Sequence, residues 1–293
     1  MNRFEGIWLP LVTPFRDGRL NLPAARALVR HYIAAGIHGL VVCGTTGEAA
    51  TLDEDERLQL LDTVLEAADG RCPVVMGVSS NDTRDELRTL PPLNARPIAG
   101  LLVVAPYYTR PSQDGIRAHL TQIAVNTDHP IILYNILYRT GVNIELATVQ
   151  ALCAQPNIVA IKESGGDLNQ LMNLIRDTRL QVLGGEDHLI FTTLCLGGHG
   201  AIAAAAHLRP QWYVAMFDAM RAGRIEVARE LSYRLLPLIR ALFSEPNPSA
   251  IKAALAQEGW ISDEVRLPIL PATARCRESL AVELAKLEQA PPK

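Results

Sequence analysis

The strongest constraint on the fold is an eightfold alternation of short β-rich runs with longer segments of helical period. The strand candidates are Ile7–Thr13, Gly39–Cys43, Val74–Gly77, Gly100–Val104, Pro130–Tyr134, Ile158–Lys162, Gln181–Gly184 and Gly200–Ala203. Between them lie amphipathic stretches such as Leu22–Ala35, Asp53–Ala68, Ser112–Asn126 and Asp167–Asp177, with Asp or Ser near several starts, as N-caps require. Strands alternating with helices imply a parallel sheet with crossover helices. Eight such units favour an α/β fold of the closed (β/α)8 TIM-barrel kind over an open doubly wound sheet. The Gly-Thr-Thr-Gly-Glu segment at 44–48 lacks the G-x-G-x-x-G spacing of a dinucleotide site, which removes the nicotinamide reading.

After residue 223 the strand signal stops. Arg224–Phe243, Ser249–Glu258 and Ala274–Leu287 read as helices joined by proline-containing loops. The expected organisation is a catalytic barrel over 1–223 and a C-terminal helical extension over 224–293, in keeping with the roughly 250 residues such barrels need. In the third crossover, Pro91 and Pro92 fall where a helix should run. Each removes a backbone donor, so that helix is expected to be short or broken.

Composition narrows the function. A net charge of -3 offers no basic excess for phosphate backbones, so nucleic acid is not an expected partner. The first residues are apolar only briefly and are interrupted by Pro10 and Pro14, which supports neither a signal peptide nor a spanning helix; the expectation is a cytoplasmic protein. The five cysteines form no CxxC pair and read as reduced core residues. The histidines have no metal-ligand spacing, so no metal is expected, and His207 is at most a supporting residue near the last strand.

In barrels of this kind the reactive groups gather at the carboxyl ends of the strands. Those ends carry Thr13, Gly44, Thr45, Thr46, Pro106, Tyr107, Tyr108, Tyr134, Asn135 and Lys162. Lys162 stands out because the chain's only other lysines are Lys252, Lys286 and Lys293. It follows the apolar run Ile158-Val159-Ala160-Ile161. Burial there favours the neutral amine, which attacks ketones; the plainer reading is a salt bridge with the adjacent Glu163. The turn at 44–48 precedes a helix, whose partial positive end suits a small carboxylate; the plainer reading is a glycine turn with a threonine N-cap. Tyr134, Tyr107 and Tyr108 are either proton carriers or rim packing. Arg139 is either a carboxylate ligand or a solvated loop arginine. Glu48 and Glu163 read as structural partners.

Taken together, GTTGE at 44–48, PYYxRP at 106–111, YNxxxRTG at 134–141 and IKE at 161–163 resemble the dihydrodipicolinate synthase (4-hydroxy-tetrahydrodipicolinate synthase) family of the sialic acid lyase superfamily. The likeness runs from about Gly6 to about Pro271 and includes LGGHG at 196–200 and EPNP at 245–248. The resemblance implies that Lys162 forms an imine with pyruvate, and that the derived enamine attacks L-aspartate 4-semialdehyde, with no cofactor. It further implies that Thr46 holds the pyruvate carboxylate and that Gly185 and Ile202 line its pocket. By the same likeness Tyr134, Thr45 and Tyr108 form a hydroxyl relay, with Tyr108 reaching a neighbouring subunit, so a homodimer or homotetramer is expected. Arg139 matches the arginine that binds the aldehyde's carboxylate.

The sequence also departs from the family. Ile136-Leu137-Tyr138 stands where Val-Pro-Ser is usual, Ala203–His207 replaces the common SVTAN, and Asn247-Pro248-Ser249-Ala250 replaces Asn-Pro-x-Pro. A bulky Tyr138 beside Arg139 keeps a second reading open: a paralogous pyruvate aldolase or hydratase acting on another aldehyde or a 2-keto-3-deoxy sugar acid. The family's lysine-inhibition site matches Ala49, Glu54, Arg57, Asn81, Asp85 and Tyr107; the histidine of inhibited members is replaced by Arg57, so weak or no inhibition is expected.

Overall fold

The computed structural model describes residues 4–289. Its parallel strands are β1 (Gly6–Pro10), β2 (Gly39–Val42), β3 (Val74–Val78), β4 (Gly100–Val104), β5 (Ile131–Asn135), β6 (Ile158–Glu163), β7 (Gln181–Gly184) and β8 (Gly200–Ile202). They close into a barrel in chain order, so the (β/α)8 expectation holds. The strands are almost wholly buried and read as apolar runs, as parallel strands covered on both faces must. The helices are α1 (Leu22–Ala34), α2 (Glu54–Ala68), α3 (Thr83–Asn94), α4 (Gln113–Val125), the short α5 (Leu137–Thr140), α6 (Leu146–Leu152), α7 (Leu168–Asp177), α8 (Ile190–Cys195), α9 (Pro210–Arg221), α10 (Ile225–Leu242), α11 (Ser249–Gln257) and α12 (Ala274–Gln289). Asn21, Asp53, Asp82, Ser112 and Asp167 cap their helices by accepting from backbone amides of the first turn.

Two expectations about local structure are corrected. The first strand ends at Pro10 rather than Thr13, because the Val12 amide turns to His207 Nε2 at 3.1 Å. The third crossover helix is neither short nor broken: α3 runs for 12 residues with Pro91 and Pro92 inside it. Both prolines fall in its last turns. The carbonyls they leave without an intrahelical partner belong to Leu87 and Arg88, which are half-buried and exposed, so water can satisfy them. Glu86, Leu90 and Leu93 meanwhile anchor the buried face.

The chain forms two compact units. In the unit holding Val74–Ile202, β3 to β8 are consecutive parallel neighbours. In the unit holding Gly6–Pro73 and the chain from Ala203 onward, β1 pairs with β2, and Trp8 lies opposite Gly39. A β-carbon at Gly39 would sit 2.2 Å from the Trp8 ring, so only glycine admits that side chain. Helices α10, α11 and α12 pack together in this second unit. One of its buried polar anchors is His207. Nδ1 donates to the Ala204 carbonyl at 2.7 Å, which leaves Nε2 to accept from Val12. All five cysteines are free, with Cys43, Cys72 and Cys276 buried. No helix of the described residues is long and apolar enough to cross a membrane.

Burial pulls the His207 pKa down from 6.5 to about 4. Because the unfolded chain holds this proton more tightly, the stability His207 supplies is present above 6.5 and is lost as pH falls toward 4. By linkage this amounts to about 3 kcal/mol. Thermal melts between pH 4 and 6.5 should therefore show a steep fall on acidification in the wild type and a shallower one in His207→Gln; equal slopes would refute this assignment.

Candidate active site

Strands β5 and β6 pair in register, with Tyr134 opposite Lys162 and Asn135 opposite Glu163. Residues opposite one another on neighbouring parallel strands point to one face, and the next pair points to the other. The register therefore sends Tyr134 and Lys162 one way, and Asn135 and Glu163 the other. On the first face Lys162 is 7% exposed and Tyr134 6%, and Lys162 Nζ lies 4.2 Å from the centroid of the Tyr134 ring. The amine is thus packed on a phenol at the carboxyl ends of two adjacent strands.

On the second face Glu163 is enclosed in donors. Asn135 Nδ2 reaches both its oxygens at 3.1 and 3.0 Å, Gln170 Nε2 of α7 lies at 3.2 Å, and the Gly165 amide at 2.5 Å. Asn135 is itself fixed by the Ile144 amide, which donates to its Oδ1, and by Asn143, which accepts from its Nδ2. Burial pushes the Glu163 carboxyl up, while these bonds pull it down. Glu163 therefore serves as the tie between the two strand ends. The alternative of a Lys162–Glu163 salt bridge is set aside, because the strand period places them on opposite faces.

Gly185, just after β7, gives its amide to the Glu163 carbonyl at 2.8 Å. A β-carbon there would come within 1.9 Å of Ser164 Oγ and 2.8 Å of Lys162 Cε. The missing side chain is the space the lysine occupies. Ile202 closes β8 and is buried. Arg139 lies in α5, exposed, with its Cζ 5.5 Å from the centroid of the Tyr138 ring. Beyond β4, Tyr107 is 37% exposed; Tyr108 adopts a φ of 70° and is 87% exposed, pointing away from its own chain.

In the other unit, Thr45–Gly47 form a 3-10 turn. Here the expectation of a helix terminus is corrected. A second 3-10 turn, Ala49–Thr51, and an extended Leu52 intervene, and α2 starts only at Glu54 under its own Asp53 cap. Whatever the 44–48 segment binds is held by its hydroxyls and amides, without that helix's dipole; nor does Thr45 or Thr46 act as an N-cap. Thr45 is exposed, whereas Thr46 is buried and accepts from Asn247 Nδ2 at 2.9 Å. Asn247 thus leaves the Thr46 hydroxyl proton free to donate. Sequence reasoning noted the EPNP motif but gave this asparagine no role; its lasting signal is an amide beside a proline, too common to single out. Thr13 bonds the Gly47 carbonyl at 2.6 Å. Glu48 is paired with buried Lys252, whose Nζ also reaches the Glu264 carbonyl at 2.8 Å, so the second scarce lysine is structural. Among the described residues no cluster of three metal-binding side chains occurs.

An eight-stranded barrel with a buried amine at the end of its sixth strand, packed on a tyrosine of the fifth, is the framework of an imine-forming lyase of the aldolase type. The chain belongs to the dihydrodipicolinate synthetase family, whose pattern matches residues 3–287. A 4-hydroxy-tetrahydrodipicolinate synthase of Syntrophus aciditrophicus is 42% identical over 279 residues, covering 94% of this chain and 96% of its own. The crystal structure of dihydrodipicolinate synthase from Thermotoga maritima superposes with a TM-score of 0.94 at 37% identity, covering 97% of this chain and 98% of that one. The chloride-inhibited enzyme of Acinetobacter baumannii, complexed with pyruvate, gives 0.95 at 31% identity, covering 98% and 99%.

Gly185→Ala should displace the lysine while the tie at Glu163 keeps the strands in place. A misplacement of about 1 Å costs on the order of 100-fold in rate. Borohydride trapping of pyruvate should slow to that degree with the melting temperature little changed; trapping at the wild-type rate would show that the close approach is harmless.

Proposed function

We propose that the chain is a 4-hydroxy-tetrahydrodipicolinate synthase that condenses pyruvate with L-aspartate 4-semialdehyde. The observation that carries this reading is the Lys162 amine held against Tyr134 at the strand ends. The amine adds to the pyruvate ketone and water leaves, forming an imine. Loss of a methyl proton gives an enamine, with the protonated imine nitrogen as the electron sink. The enamine carbon attacks the aldehyde; the semialdehyde's own amine then displaces Lys162 from the imine carbon and closes the ring. No cofactor enters this sequence.

In this reading Lys162, Tyr134, Thr45 and Tyr108 are the catalytic residues. Thr46, Arg139, Gly185 and Ile202 bind substrates: Thr46 the pyruvate carboxylate, Arg139 the carboxylate of the aldehyde. The burial of Thr46 and its bond from Asn247 support a fixed donor role. The high exposure of Tyr108 supports its service in a neighbouring subunit's relay, and hence a homodimer or homotetramer. Residues 1–223 act as the catalytic barrel and 224–293 as its helical extension, in the cytoplasm.

Borohydride reduction with pyruvate should add one reduced adduct to the wild type and none to Lys162→Ala, read by intact mass. A coupled assay should then give a higher kcat/KM for L-aspartate 4-semialdehyde than for a panel of other aldehydes and sugar-acid precursors. A better panel member would replace the synthase reading with the paralogous aldolase.

Feedback control should also differ from lysine-inhibited relatives. The Arg57 guanidinium donates to the Ala49 carbonyl at 2.8 Å, which fixes a cation where those members carry histidine and repels the lysine ammonium. Steady-state rates should stay above half their maximum at submillimolar lysine; half-maximal inhibition in that range would contradict this.

A further inference from the structure

The segment that departs most from the family at the mouth of the site is Ile136-Leu137-Tyr138, and the structure places it beside the reacting groups. It leads into α5, a single turn that ends at Gly141 in the left-handed conformation and is pinned by Thr140, whose hydroxyl lies 3.0 Å from the Ile136 carbonyl and 2.8 Å from that of Val142. A turn anchored at both ends holds its outward side chains in a fixed place. Tyr138 is one of these, 65% exposed where a core aromatic would be hidden. Binding residues are disproportionately carried on loops that a rigid scaffold positions.

Its neighbours show what it does. The Arg139 guanidinium sits over the Tyr138 ring at 5.5 Å, within cation–π range. Glu186, the residue after Gly185, lies near enough for its charge to act on the Tyr138 phenol. Burial pushes the Glu186 carboxyl up, while His188 and Lys162 pull it down. An arginine alone on a surface turn samples many rotamers and presents its fork to a carboxylate only some of the time. Stacked on a ring carried by an anchored turn, it is pre-organised.

We propose that Tyr138 is a specificity-determining residue for the second substrate: its ring holds Arg139 in the orientation that receives an aldehyde bearing a carboxylate. Tyr138 is a positioning residue and acts through Arg139. This inference rests on the reading of Arg139 as the ligand of the aldehyde's carboxylate. The serine usual at this position in the family has no ring to stack. In this chain the positioning of the arginine has therefore passed to a neighbour in sequence.

The test separates aldehyde from pyruvate. Tyr138→Ala should raise the KM for L-aspartate 4-semialdehyde about tenfold while the KM for pyruvate stays within about twofold. Tyr138→Phe keeps the ring and should stay within about twofold of the wild type. In an Arg139→Ala background the same Tyr138→Ala change should have an effect of less than about twofold, because the residue it acts through is gone. Borohydride trapping of pyruvate on every variant verifies that the barrel and Lys162 are intact. An unchanged aldehyde KM in Tyr138→Ala, an equal rise in pyruvate KM, or full additivity with Arg139→Ala would each overturn the proposal. Wild-type turnover tests the synthase reading separately. Should another carboxylate-bearing aldehyde prove the better substrate, the same variants are measured with it, and the same three outcomes decide.

Discussion

The register between β5 and β6 is the constraint on which the site depends. Because side chains alternate along a strand, one pairing decides two things: Tyr134 meets Lys162 on one face, and Asn135 meets Glu163 on the other. A slip of one residue would reverse both faces and remove the amine from the phenol. The second pair defends the first. Glu163 draws donors from Asn135, Gln170 and the Gly165 amide, and Asn135 is held in turn by Asn143 and the Ile144 amide. A buried carboxylate that lost these partners would cost about 3–5 kcal/mol, so the network resists any other register. Gly185 completes the arrangement, its amide on the Glu163 carbonyl and its bare α-carbon beside the lysine stem.

The other unit uses the same economy of polar groups. Lys252 and Glu48 form a buried pair behind the 44–48 turn, and the Arg266 amide donates to the same carboxylate at 2.9 Å. Such a pair adds little net stability over apolar residues of similar shape, but it defines one conformation for the turn, because removing either partner leaves a charge in the core. That conformation orients Thr46, whose hydroxyl is set from its other side by Asn247. Charge placed behind a turn and a single amide in front of it thus position a neutral donor.

In the proposed reading the two substrates are recognised by different means. The groups assigned to pyruvate sit on strand ends and tight turns and are mostly buried, whereas those assigned to the aldehyde sit on the exposed α5 turn. The lysine, tyrosine and threonine motifs match the family pattern, while Ile136-Leu137-Tyr138 beside Arg139 does not, so in the proposed reading the chain departs from its family at the second substrate.

The sequence by itself determined the fold class and singled out Lys162 as the candidate amine. Eight β-rich runs with crossover helices admit few closed solutions, and a lysine at the end of one of them, in a chain that otherwise uses arginine, is visible without coordinates. It also carried the likeness that named Thr45, Thr46, Tyr134 and Arg139. Local pattern was less reliable at the ends of elements: two prolines predicted a broken α3, and a glycine-rich turn suggested a helix terminus that lies beyond a second 3-10 turn. For α3 the outcome was set by the solvent exposure of the freed carbonyls; for the turn it was set by the Asp53–Glu56 capping box that starts α2 further along the chain. Tertiary structure alone decided the Asn247 bond to Thr46, the pairing of Lys252 with Glu48 and the stacking of Arg139 on Tyr138. The first two join residues far apart in sequence, which no local period encodes, because such contacts are fixed by packing that exists only once the chain has folded.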